Sequence, residues 1–229
     1  MHKISLISYL IIFYWLVFVV MAIHAEEKPA NFVYVKALIP SLEQDMRYFT
    51  DNNFVGRPIQ GYQKPVCILS IAAAHALLKV QTVLNKKNLG LLVFDCYRPQ
   101  MAVDDFIQWS QNPEDQRMKN LYYPHIDKQD LFKLNYIAYR SGHTRGSTVD
   151  LTIVDLDSQQ TLDMGTPYDF MDPLSHPTNR DISPEQFKNR MLLRTLMLRF
   201  GFRPIETEWW HFTLNDEPYK NSYFNFLVE

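Results

Sequence analysis

Two cysteines, Cys67 and Cys96, are all that the 229 residues contain. That excludes a scaffold stapled by several disulfides. One bridge in an oxidising compartment and two partly buried thiols both remain open. Neither cysteine accompanies the histidine motifs described below, so neither is read as a metal ligand. No cysteine follows the N-terminal apolar run, which argues against a lipid-modified N-terminus. Charge of one sign is also lacking: 23 Lys and Arg stand against 25 Asp and Glu, a net charge of -2. Without a basic patch there is no signal for nucleic acid, and without an acidic run there is none for a disordered tail. Repeats and low-complexity segments are absent.

One long apolar run is present. Residues 4 to 23 carry no charge, follow Lys3, and lead to Ala25 just before Glu26-Glu27-Lys28. This pattern predicts a signal peptide over residues 1–25. The run is nearly long enough to span a bilayer, so an uncleaved membrane anchor is the alternative. Either reading places residues 26–229 outside the cytoplasm, in an extracytoplasmic and periplasm-like compartment. What remains, about two hundred residues, suffices for one domain with a full core.

Residues 26 to 65 read as irregular, punctuated by Pro29, Pro40, Pro58 and Pro65. A helix is expected over residues 69 to 87, rich in alanine and stopped at Gly90. Leu91–Asp95 reads as a buried strand that delivers Cys96-Tyr97-Arg98-Pro99 to its end. Pro99 then opens a helix over residues 100 to 110. Residues 111 to 140 read as loop with helical pieces. From Thr148 to Val154 polar and apolar residues alternate, so Asp150 shares a face with Thr148 and Thr152. Ser183-Pro184-Glu185-Gln186 combines an N-cap, a first-turn proline and a capping-box partner. The helix that follows carries an apolar stripe of Phe187, Met191, Leu192, Leu196 and Phe200, and Gly201 ends it. Trp209 to Leu214 reads as an aromatic strand. Helices interleaved with a few separated strands predict an α+β fold: a single domain with a small, antiparallel-type central sheet flanked by helices.

The chemistry lies in two motifs. Ser141-Gly-His143-Thr-Arg-Gly146-Ser-Thr-Val-Asp150 offers an imidazole and a carboxylate, and Glu208-Trp-Trp-His211 offers a second imidazole. Two histidines and one carboxylate match the ligand count of a catalytic zinc, which leaves a position open for water. Glu208 is placed to act as a general base on that water. Arg98, at a strand end, can stabilise the developing oxyanion, because a guanidinium stays charged and offers a planar fork of donors. The remaining polar residues get ordinary readings. His75 is expected to pack, or to make a core polar contact, within its alanine-rich helix. His125 and His176 are expected at the surface in proline-containing loops, and Asp155 and Asp157 in a solvated turn.

With Asp163-Met-Gly-Thr-Pro-Tyr-Asp169-Phe added, these motifs resemble the D-alanyl-D-alanine dipeptidase family of zinc metallopeptidases, relatives of zinc D,D-carboxypeptidases and hedgehog-like domains. The resemblance runs from Asp45-Met-Arg-Tyr48 to the Trp-Trp-His motif. It implies a hedgehog/D,D-peptidase-like fold and one zinc per chain on His143, Asp150 and His211. It implies Glu208 as catalytic base and Arg98 as the arginine at the transition state. It implies a small dipeptide substrate, with Asp169 and Tyr48 near its free amino group and Ser141 near its carboxylate. Cys96 departs from the family pattern, where a small residue such as glycine or alanine is expected. Two other functions stay open: a D,D-carboxypeptidase acting on longer wall peptides, and a non-catalytic zinc-binding module.

Overall fold

The structure is a computed structural model and describes residues 26–229. The expected leader or anchor over residues 1–25 lies outside them. In chain order the strands are β1 (Phe32–Tyr34), β2 (Glu43–Gln44), β3 (Ile68–Ser70), β4 (Leu89–Asp95), β5 (Thr148–Asp155), β6 (Phe202–Pro204) and β7 (His211–Leu214). The helices are α1 (Val35–Leu38), α2 (Ile71–Asn85), α3 (Gln100–Ser110), α4 (Lys119–Tyr122) and α5 (Pro184–Arg199), with short 3-10 turns between.

Five strands form the central sheet in the order β2-β4-β5-β7-β6. The β2–β4 pair is parallel and the other pairs are antiparallel. A separate ribbon pairs β1 with β3. The α+β expectation therefore holds, with one parallel edge added. The sheet is hydrophobic on its helix-facing side, where Val149, Leu151 and Ile153 of β5 meet Leu77, Val80 and Leu84 of α2 in one core. The opposite side of β5 carries Thr148, Asp150 and Thr152, as the alternation predicts. Those residues are buried too: the loop between β5 and α5 covers Thr152 and reaches Asp150 through Tyr168, while Thr148 lies against Thr213 and Gly142.

Several boundaries differ from expectation for physical reasons. Gly90 does not stop α2; it lies inside β4. The reversal is made by Asn88, which takes the left-handed conformation (φ 57), a conformation asparagine tolerates. A Cβ at Gly90 would meet Leu156 Cδ2 at 2.9 Å, so the end of that side chain would have to give way. In α5 the capping box of Ser183 and Gln186 forms in full, but the buried face is rotated. Asn189, Arg190, Leu193, Leu196 and Met197 face inward, while Phe187 and Met191 are half-buried. Polar side chains could turn inward because the covering loop offers them partners. Arg190 donates to the carbonyls of Met164 (2.6 Å), Leu174 (2.9 Å) and His176 (3.0 Å). The aromatic strand begins only at His211, with Trp209 and Trp210 buried in the bend before it. Residues 26–65 contain short elements after all, among them β1 and α1. His75 is exposed and makes no core contact; it sits on the outer face of α2. His125 is exposed as expected, whereas His176 is half-buried, 3.2 Å from Tyr136 Oη. Asp155 caps its turn, accepting from the backbone of Asp157 and Ser158.

The two cysteines are joined: Cys67 and Cys96 form a disulfide, and both are fully buried.

Candidate metal centre

Strand register assembles the centre. Asp95 pairs with Asp150 across β4 and β5, and Asp150 pairs with His211 across β5 and β7. The three residues therefore stand on one rung of three adjacent strands, side chains on the same sheet face. His143 enters from the 3-10 turn His143–Arg145 just before β5. That turn closes on Gly146 in the left-handed conformation (φ 77), where a Cβ would collide with the Phe32 ring at 2.0 Å. Glycine is required there on both counts.

Nε2 of His143, Oδ1 of Asp150 and Nδ1 of His211 form a near-equilateral triangle. Its sides are 3.3 Å between His143 and Asp150, 3.1 Å between His211 and Asp150, and 3.3 Å between the two imidazoles. Ligand bonds of about 2.0–2.1 Å at tetrahedral angles put donor atoms about 3.3 Å apart, so the triangle has the dimensions of a zinc site. Asp150 Oδ1 supplies an independent sign. It is buried and has no hydrogen-bond donor, an arrangement that costs free energy unless a cation meets it.

Neighbouring groups orient the donors. His143 Nδ1 lies 2.7 Å from the carbonyl oxygen of Cys96. A carbonyl can only accept, so Nδ1 carries the proton and Nε2 presents its lone pair. Asp150 Oδ2 lies 3.1 Å from Tyr168 Oη and 3.7 Å from Arg98 Nη2. Arg98 donates through Nε to Asp95 Oδ2 at 2.9 Å, and Asp95 Oδ1 accepts from Tyr62 Oη at 2.7 Å. The guanidinium also lies against the rings of Tyr48 and Phe106. Glu208 Oε2 stands 3.4 Å from His211 Nδ1, next to the triangle and outside it.

All eight residues named from the sequence line one cleft of about 370 Å³. At one end Tyr48 Oη donates to Asp169 Oδ2 at 2.9 Å. Asp169 itself is held at φ 60, a left-handed backbone that aspartate tolerates better than most residues. Ser141 Oγ accepts from the His143 backbone N–H at 3.2 Å and borders the same cleft.

Burial and mutual repulsion set the charges. Burial pushes the Asp150 carboxyl up, but the two histidines outweigh it and hold it well below the ordinary carboxylate range. Burial, with the negative charges of Asp150 and Asp169, holds Glu208 well above its ordinary value. Burial and Asp150 push Asp169 up to about 8. Burial lowers His211, against the pull of Asp150, which favours the neutral imidazole that a metal requires. Anions crowded this closely call for a cation among them.

Three residues escaped the sequence reading. Tyr168 links the two ends of the site, lying 3.1 Å from Asp150 Oδ2 and 3.2 Å from Tyr48 Oη. Asp95 and Tyr62 secure Arg98. The signal for Asp95 and Tyr168 was adjacency, since each sits beside or within a motif already quoted. Nothing in the sequence points to Tyr62. The Asp163-Met-Gly-Thr segment proves to be a brace: Thr166 Oγ1 accepts from Trp209 Nε1 at 2.9 Å, which ties the loop carrying Asp169 to the motif carrying Glu208.

A family model described as D-ala-D-ala dipeptidase matches residues 28–229. The chain is 42% identical over 198 residues to a D-alanyl-D-alanine dipeptidase of Streptomyces coelicolor, covering 86% of this chain and 98% of that one. It is 39% identical over 199 residues to one of Enterococcus faecium, covering 87% and 98%. It is 33% identical over 177 residues to one of Escherichia coli, covering 77% and 81%. Among solved structures, the vancomycin resistance D,D-pentapeptidase VanY in complex with Zn(II) matches 69% of this chain and 78% of its own, at 14% identity and a TM-score of 0.39.

Proposed function

The chain belongs to the D-ala-D-ala dipeptidase family of peptidases, and from that membership and the cleft we propose that it hydrolyses D-alanyl-D-alanine to free D-alanine with one zinc ion. The observation that carries the reading is the triangle of donor atoms on His143, Asp150 and His211, with Glu208 beside it and Asp169 across the cleft. When bound, zinc supplies Lewis acidity, which polarises a carbonyl and acidifies water.

The chain's own residues do the rest. Asp169, steadied by Tyr48, receives the free ammonium of the dipeptide. Ser141, at the cleft wall, offers a hydroxyl to the carboxylate end. The two groups fix a very small ligand by both ends and so set the scissile carbonyl against the remaining side chains. Glu208 takes a proton from the attacking water as its oxygen bonds to the carbonyl carbon. It then hands that proton to the amide nitrogen as the C–N bond breaks. Arg98, immobilised by Asp95 and walled by two aromatic rings, offers Nη donors to the oxyanion that forms between these steps.

A carboxypeptidase acting on longer peptides is disfavoured by Asp169: a buried carboxylate at the amino end is matched in charge by a free ammonium, whereas a neutral peptide N–H would leave that charge uncompensated. A non-catalytic zinc module is disfavoured because it has no use for Glu208 and Arg98 in these positions. Work outside the cytoplasm, in turnover of cell-wall fragments, is supported by the disulfide, which reducing compartments do not sustain, and by the apolar run over residues 4 to 23.

The test is metal analysis and D-alanine release with the purified chain. One zinc per chain and hydrolysis of the free dipeptide are expected. Glu208→Ala should keep the zinc and lose activity by about 10²–10⁴-fold. A metal-loaded, folded wild type that leaves D-alanyl-D-alanine intact, or a fully active Glu208→Ala, ends the proposal.

A further inference from the structure

Four consecutive residues at the end of β4 carry much of the site. Asp95 is the last residue of β4, and its pairing with Asp150 follows a register irregularity after Val93. Cys96 offers the carbonyl that fixes the His143 tautomer. Tyr97 follows, then Arg98, which binds back to Asp95. From Cys96 onward the chain has left its strand, so ladder hydrogen bonds no longer hold it. Tyr97 is tied by its N–H to the Ile68 carbonyl (2.9 Å) and by its ring to Phe226. Cys96 itself is tied by its side chain. The bridge runs to Cys67, the residue just before β3, whose own N–H donates to Gln44 Oε1 at 2.8 Å.

We propose that the Cys67–Cys96 disulfide is a positioning element of the metal centre: it holds the Cys96 carbonyl against His143 Nδ1, so its loss weakens zinc binding while the domain stays folded. The proposal rests on the zinc reading above. A bridge that served only general stability could sit anywhere in the core. This one ends on the residue whose carbonyl touches a metal ligand at 2.7 Å, and both sulfurs are sealed from solvent. Carbonyl partners of this kind fix ring orientation and ligand basicity, and losing one typically costs about 10–100-fold in metal affinity.

The experiment compares zinc dissociation constants, by competition with a chelator, for the oxidised wild type and Cys67→Ala/Cys96→Ala. Leu84→Ala, a core truncation at the far end of α2, serves as a destabilised control. Measurements are made where all three are folded by circular dichroism. The constant should rise about 10–100-fold in the double variant and stay at the wild-type value in Leu84→Ala. Equal constants in wild type and double variant overturn the positioning role and leave the zinc reading intact. Absence of zinc binding in every form overturns both.

If the double variant does not fold, the wild type is reduced with a water-soluble trialkylphosphine in denaturant, which opens the sealed bridge, then refolded with zinc in native buffer, with two free thiols counted per chain. The cystine then gives two thiols, and the phosphine becomes its oxide with oxygen taken from water. Zinc release into a chromogenic chelator while tryptophan fluorescence stays native supports the proposal. Release only together with global unfolding refutes it.

Discussion

Asp169→Asn separates charge from shape with unusual clarity. Asparagine tolerates the left-handed backbone that Asp169 occupies, and its amide oxygen can still accept from Tyr48 Oη, now 2.9 Å from the carboxylate. The substitution therefore removes one negative charge and little else. Losing one partner of a buried, hydrogen-bonded charge pair costs about 2–5 kcal/mol. The cleft is open to water at its mouth, which favours the lower part, about 2–3 kcal/mol, or about 30- to 150-fold in kcat/KM for the free dipeptide. N-acetyl-D-alanyl-D-alanine has no ammonium to lose, so the variant should cleave it at least as well as wild type. The assay is D-alanine release from both substrates by both proteins. Equal losses on the two substrates would refute the placement of Asp169 at the amino end. The same carboxyl leaves a trace in the metal-free protein. Burial and Asp150 raise it from 3.8 to about 8, so the protonated form is favoured in the fold. The stability it contributes is full below about pH 4 and is lost as pH rises towards about 8. The melting temperature of the metal-free wild type should fall across that window more steeply than that of Asp169→Asn.

Other perturbations probe the supports. Arg98→Lys cannot keep the Nε bond to Asp95 while reaching towards the carbonyl, so kcat should fall about 10²–10³-fold with little change in KM, measured by steady-state kinetics. Gly146→Ala must displace Phe32 and adopt a strained backbone. A cost of about 2–4 kcal/mol is expected, lowering the melting temperature by about 5–15 °C; an unchanged melt would contradict the collision. Glu217 accepts from both Arg145 and Arg203. Burial pushes its carboxyl up, but the two arginines prevail and hold it below its ordinary 4.5. Its stabilisation is therefore present above about pH 4.5 and disappears as pH falls through the lowered value. Glu217→Gln should be less stable by about 3 kcal/mol at pH 7, and its denaturation curve should converge on that of wild type in acid.

The site was more legible in the sequence than the fold around it. His143, Asp150, Glu208 and His211 could be named because catalytic zinc demands particular atoms in a particular number, and few residue types supply them. The buried face of α5 could not be read from apolar periodicity, because Arg190 faces inward to meet three carbonyls that belong to a loop far away in sequence. The end of α2 was misplaced for a related reason. Asparagine and glycine both reach the left-handed region, and it is Asn88, two residues before the glycine, that makes the reversal. Tyr62 carries no motif; its role follows from Asp95 being sealed from water. The pairing of the cysteines was open for the same reason, since sequence says nothing of their separation in space.

The shared rung of Asp95, Asp150 and His211 has a corollary. Each rung partner comes from a different strand, and β7 is the last to be synthesised. Of the three donors, His143 and Asp150 stand on or beside β5, and only the pairing of β7 with β5 brings His211 to them. A slip of one residue in that closure would turn His211 away to the opposite side. The register that closes the sheet is therefore the same register that completes the donor set, and one cannot be wrong while the other is right.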